Sequence, residues 1–286
     1  MVAFGFIFVI ICVFGGFMAM GGNIMVLNQP YEFVIIGGAA IGAYIISNPK
    51  NILSKTMPAI ISVFSGSPYT KKTYLELLSV MFSIFKLAQS KGMLALEAHI
   101  ENPEESDIFT RYPRFLEKKH ALHFLCDYLR LLTMGSEDPS QIEDLMLEEL
   151  ETHDKEAHAI HHAIVGLGDG LPALGIVAAV LGIIKTMGAT NQPPEILGKY
   201  IGGALVGTFL GILLAYGFVT PLAGGLNHIQ EDESKFFDCI KCSLLAFMKG
   251  APPVVALEYG RKTIFSDYRP TFAEVEESMQ QVRPVS

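Results

Sequence analysis

Few side chains in this sequence are suited to chemistry, and those few are poorly assembled for it. In "HDKEAHAIHH", His158 and His162 stand about one helical turn apart, and in "CIKC", Cys239 and Cys242 do much the same. A structural zinc site needs four convergent ligands, and a catalytic one needs three plus water. Neither pair brings its remaining ligands, so both read as faces of ordinary helices. There is no Gly-rich phosphate loop, nucleophile elbow or other catalytic signature. The chain reads as a non-enzyme with no cofactor. Its net charge of −8 also lacks the clustered Lys and Arg that nucleic acid demands.

What remains is a set of hydroxyls and prolines within apolar sequence. Thr208 and Tyr216 lie in one such run, but a hydroxyl alone is a poor proton acceptor near neutral pH. Asp169 and Glu32 sit at or near the ends of such runs, and no Asp, Glu, Lys, Arg or His lies well inside one. Proton paths through membranes carry ionisable groups. A proton-conducting role would therefore need a carboxylate from a second chain. Pro172, in "GDGLPALG", and Pro221, in "YGFVTPLAGG", each remove a backbone donor and favour a kink. Pro172 also suits a helix start, where proline is tolerated. Pro221 does not, because the apolar helical pattern continues on both sides. Two kinks at one depth suit a helix pair that tilts when a nearby charge changes.

The elements that must position these residues are membrane helices. Four runs are free of Asp, Glu, Lys and Arg: Met1 to Tyr31, Phe33 to Pro49, Gly170 to Ile184 and Tyr200 to Gln230. A spanning helix needs roughly 20 apolar residues. The first and fourth runs meet this, and the second is marginal. The third reaches it if Lys185 snorkels to an interface and Thr186 to Gly188 extend the helix. Of the 21 Lys and Arg, twelve lie between Lys50 and Lys155 and seven between Lys235 and Arg283. The positive-inside tendency then puts both large polar segments, and both termini, in the cytoplasm. No basic segment precedes the first run, so cleavage as a signal peptide is not expected.

The expected fold is an all-α membrane protein: four transmembrane helices, a large helical cytoplasmic loop and a helical cytoplasmic C-terminal region. Its boundaries fall at 1–48 for the first two spans, 49–166 for the loop, 167–225 for spans three and four, and 226–286 for the C-terminal region. In the loop, Gly135 suits a helix end, and Asp138 before Pro139 suits the cap of a long acidic helix reaching toward His162. The fourth run continues as a helix beyond Leu226, and the tail after Arg269 reads as partly extended. Gly203, Gly207 and Gly211 are spaced four apart on one face of the fourth span. That face serves either packing within the chain or a smooth lining for a separate partner helix.

Several stretches together resemble the bacterial flagellar stator proteins of the MotA family: "QPYEFVIIGGAAIGAYI", "GMLALEAHIENPEESDIF", "GDGLPALGIVAAVLGII", "VGTFLGILLAYGFVTPLA" and "EYGRKTIFSDYRPTF". The resemblance covers nearly the whole chain. It is similar to the ExbB and TolQ energisers of envelope transport mainly in the last two spans, and such an energiser is the alternative reading. The MotA resemblance implies an inner-membrane homopentamer around two copies of a MotB-like partner, whose membrane Asp carries the ion, with torque delivered to the rotor protein FliG. It makes Pro172 and Pro221 the coupling prolines and places Glu97 at the rotor contact. At the family's rotor-contact Arg this sequence has Gln89, so Lys86 or Lys91 would supply the positive charge. Ala179 matches a Thr of sodium-driven relatives, which implies protons rather than sodium. Thr208 is then a polar contact for the partner's Asp.

Overall fold

Every regular element among the described residues, 1–135 and 138–281, is helical in the computed structural model. Among the described residues, four helices are long and apolar enough to cross a membrane: Val2–Ala19, Ile24–Ser47, Pro139–Met187 and Pro194–Met248. They are called the first to fourth spans below. The chain divides into two compact units, one of residues 1–66 and 156–229, the other of residues 67–155 and 230–286. The third and fourth spans contribute residues to both.

The first unit is built around glycine and alanine. Ile36, Ala178, Leu210 and Ala215 bury one small core among the second, third and fourth spans, and Val63, Ile164, Ala223 and Leu226 bury another. No residue of the first span is buried. It packs through rings, Phe6 edge-on to Phe218 at 5.1 Å and Phe14 edge-on to Phe209 at 6.4 Å.

The second unit holds a larger core on helices Lys71–Lys91, Lys119–Thr133 and Pro253–Thr263 and on the polar ends of the third and fourth spans. Phe236 is fully buried against Tyr69, Tyr74 and Phe115, and Phe85 stacks on Phe247 at 4.3 Å. Buried aromatics of this size dominate core energetics at about 1.5–3 kcal/mol each. The helix signals in this unit behave as their chemistry dictates. Gly135 adopts φ +92°, and Asp138 accepts the Ser140 amide at 2.9 Å.

Three expectations are corrected. The acidic helix and the third span are one uninterrupted helix, Pro139–Met187, and Pro172 lies inside it rather than at its start. The second span begins at Ile24 with a 3₁₀ turn, and Pro30 opens the helix that follows, so Glu32 falls within the span rather than at its edge. The chain after Arg269 is not simply extended: Thr271 caps a helix, Phe272–Gln280, through a reciprocal pair with Glu274.

Candidate functional site

The third and fourth spans meet backbone to backbone. A methyl group placed on Gly211 would lie 2.6 Å from the Leu171 carbonyl oxygen and 3.0 Å from the Gly175 α-carbon. One placed on Gly175 would lie 2.8 Å from the Gly207 carbonyl oxygen and 3.4 Å from the Thr208 α-carbon. Only glycine permits that approach. Further along, Gly182 faces Ala204 in the same way. Without a hydrophobic drive between helices in lipid, close van der Waals packing of this kind is what joins them.

The prolines converge on the same seam. A methyl on Gly168 would lie 3.1 Å from the Thr220 hydroxyl oxygen, and Thr220 is the residue before Pro221. Proline at position i clashes with the carbonyl of i−4 and leaves it without a helical donor. For Pro172 that residue is Gly168, and for Pro221 it is Gly217. Gly217 lies in a π-helical turn, Ala215–Val219, which widens the helix just before Pro221. The two helix irregularities therefore share one contact. Ala179 and Thr208 each lie about three helical turns from this point, at the level where Gly175, Gly207 and Ala178 pack.

The glycine face of the fourth span is occupied by the chain's own helices. Gly203 sits against the Gln29 side chain, Gly207 against Glu32 and Ala178, and Gly211 against Leu171 and Gly175. Of the two readings of this face, packing within the chain accounts for these contacts of all three glycines. The surface left to other molecules carries larger side chains, among them Ile176, Val180, Leu205, Ile212 and Tyr216.

In the second unit, Gln89 and Lys91 end helix Lys71–Lys91, and Gly92 at φ +86° turns the chain toward Glu97. Gln89, Lys91 and Glu97 are all exposed, as is Lys86. Lys86 lies over the Phe82 ring at 5.8 Å, and Glu97 forms no ion pair among the described residues. Arg130 instead bridges Glu101 and Asp127 at 3.0 and 2.9 Å.

The His158 and His162 rings lie 6.4 Å apart with His161 beside them, and no group of three or more metal-type side chains converges among the described residues. Cys239 is buried. Cys126 is likewise buried in the second unit's core, which pushes its thiol up to about 12. Glu32 is the residue that reading the sequence underweighted. Its Oε2 is buried and has no hydrogen-bond partner among the described residues. The signal was present in Pro30, which starts a helix two residues earlier.

Four long apolar helices, two of them joined through glycine and each of those two carrying a proline, define a polytopic helical membrane protein. A family model described as "Motility protein A N-terminal" matches residues 3–92, and one described as "MotA/TolQ/ExbB proton channel family" matches residues 114–238. The chain belongs to the MotA/TolQ/ExbB proton channel family, in its motility protein A branch. It is 45% identical to motility protein A of Salmonella typhimurium over 283 residues, covering 99% of this chain and 96% of that one. It is 35% identical to chemotaxis protein LafT of Vibrio parahaemolyticus, covering 95% of each. The fold matches that of the flagellar MotAB stator complex from Bacillus subtilis, with a TM-score of 0.70 at 25% identity over 90% of this chain and 92% of that one. It also matches the C. jejuni MotAB structure, with a TM-score of 0.77 at 22% identity over 93% and 96%.

Proposed function

We propose that the chain conducts protons across the bacterial inner membrane together with a MotB-like partner and turns that flow into torque on the flagellar rotor. Membership of the motility protein A branch makes it a stator subunit of the motor. In this reading five copies surround two partner chains, each bringing one membrane aspartate, and lipid covers the outer faces. Both termini lie in the cytoplasm, as the placement of Lys and Arg supports. The motility-type match over residues 3–92 favours this reading over an envelope energiser of the ExbB or TolQ kind.

The observation that carries the mechanism is the Gly168–Thr220 contact, which joins the residue four before Pro172 to the residue before Pro221. A carboxylate is far more costly than a carboxylic acid against an apolar lining. Protonation of the partner's aspartate therefore changes its best fit beside Ala179 and Thr208. That change reaches the Gly175–Gly211 seam, and through it the Gly168–Thr220 contact beside Pro172 and Pro221. The helices tilt there, and their polar ends move the exposed segment from Gln89 through Lys91 to Glu97 against FliG. Ala179 offers a methyl and no oxygen to replace the water of a sodium ion, which supports protons as the coupling ion.

Pro221→Leu tests the coupling. It is expected to leave co-purification with the partner intact and to abolish swimming; normal swimming would count against the role. Swimming that survives sodium removal and stops with a proton uncoupler supports the ion assignment, and the reverse pattern refutes it.

A further inference from the structure

Glu32 has no part in the mechanism above, yet it is an ionisable side chain inside a span. Its Oε2 is buried, has no hydrogen-bond partner among the described residues, and would lie 2.9 Å from a methyl placed on Gly207. It is therefore seated on bare backbone, in a slot that exists because residue 207 has no side chain. The same methyl would lie 3.1 Å from the Ala178 methyl and 3.3 Å from the Ala179 amide nitrogen. The carboxyl thus packs on Gly207, the chain neighbour of Thr208, at a position of the fourth span that also faces Ala178 and Ala179. Lys185 of the third span is near enough to act on it electrostatically, and Lys185 itself lies over the Tyr200 ring at 5.0 Å.

A carboxyl oxygen held in a span without a partner is costly, and such groups mark ion paths. Packing alone would be served by an apolar side chain of the same size at no such cost. We propose that Glu32 is a proton-holding residue of the conduction path, a station in this chain itself that receives a proton from the outer side and passes it toward the partner's carboxylate. In each passage the Glu32 carboxylate takes up one proton, becomes the neutral acid, and returns to carboxylate when the proton leaves. The inference rests on the proton-conducting reading above.

The test uses full-length chains co-expressed with the partner in cells lacking their own copy, in sodium-free buffer. Rotation speed of tethered cells and the amount of co-purified complex are measured for wild type, Glu32→Gln and Glu32→Asp. Glutamine keeps the shape but cannot exchange the proton. Glu32→Gln is expected to slow rotation at least fivefold with the complex intact, and Glu32→Asp to retain most of the speed. Equal speeds for wild type and Glu32→Gln would overturn the proposal. If the Gln complex fails to assemble, Glu32→Asp and Glu32→Asn, which share the shorter side chain, carry the comparison. Rotation with Asp but not with Asn supports the role, and equal rotation overturns it. Wild type that turns only with sodium would instead remove the proton reading, and this inference with it.

Discussion

Gly211→Ala is the most direct probe of the seam. The new methyl would meet the Leu171 carbonyl oxygen at 2.6 Å and the Gly175 α-carbon and amide nitrogen at 3.0 and 3.2 Å. Favourable carbon contacts lie at about 3.5–4.0 Å, so the helices must separate locally by roughly 0.9 Å. All three neighbours are backbone, and no rotamer change relieves them. Overpacking of this kind costs about 1–3 kcal/mol, and the value here should fall in the upper half of that range. Alanine also gains up to ~1 kcal/mol of helix propensity over glycine, which a control must remove. Gly224→Ala provides it, because a methyl there meets nothing within 4 Å. The stability of the detergent-solubilised complex is measured for both variants by thermal unfolding. Gly211→Ala should melt clearly below wild type and Gly224→Ala at or above it. A complex of Gly211→Ala as stable as that of Gly224→Ala would refute the claim that the two spans touch through backbone at this level.

Two further outcomes concern the second unit. With its thiol held at about 12 against an ordinary 9.0, Cys126 carries about a thousandfold less thiolate than a free cysteine at the same pH. A thiol reagent should leave it unmodified in the native protein and label it on unfolding; labelling as fast as a model thiol would contradict its burial. Glu274 accepts the Thr271 amide at 2.7 Å and bonds Lys71 at 3.0 Å and the Thr271 hydroxyl at 3.0 Å, which together draw its carboxyl down to about 2. A depressed carboxyl contributes stability above its unfolded value of 4.5, and that contribution is lost as pH falls from there toward 2. Glu274→Gln should therefore speed hydrogen exchange in helix Phe272–Gln280 at pH 7, with the difference from wild type shrinking below pH 4.5. A difference that persists unchanged at low pH would show that the carboxylate charge is not responsible.

The spans were legible because charge-free apolar runs have few folds open to them, and the cap residues Gly135 and Asp138 acted locally as their types predict. What escaped reading were features decided by neighbours. Gly166, Gly168, Gly170 and Pro172 look like breakers in series, yet the helix from Pro139 to Met187 runs through all of them. In a membrane a helix is the one way for a single segment to satisfy its own backbone, and this outweighs propensity. Glu32 looked like a boundary because it ends a charge-free run, whereas Pro30 and the glycine at position 207 set its place in the fold. The C-terminal helix was announced by Thr271 and Glu274 at capping-box spacing, but Pro270 and the polar sequence beyond obscured it.

The prolines carry the same lesson further. Each has a glycine four residues before it, Gly168 for Pro172 and Gly217 for Pro221. That is the residue whose carbonyl the ring displaces. A larger residue there would lock the displaced backbone in place by packing around it, whereas glycine leaves the carbonyl free to tilt. At Gly168 the Thr220 hydroxyl oxygen would be 3.1 Å from any added methyl, and at Gly217 the Leu213 and Val9 methyls would be 3.1 and 3.3 Å away. A methyl at either position would therefore crowd a neighbouring side chain, which would have to shift by a few tenths of an ångström. In the coupling reading proposed above, the spacing of four between glycine and proline, repeated in two helices that meet at Gly168 and Thr220, serves as a hinge pair.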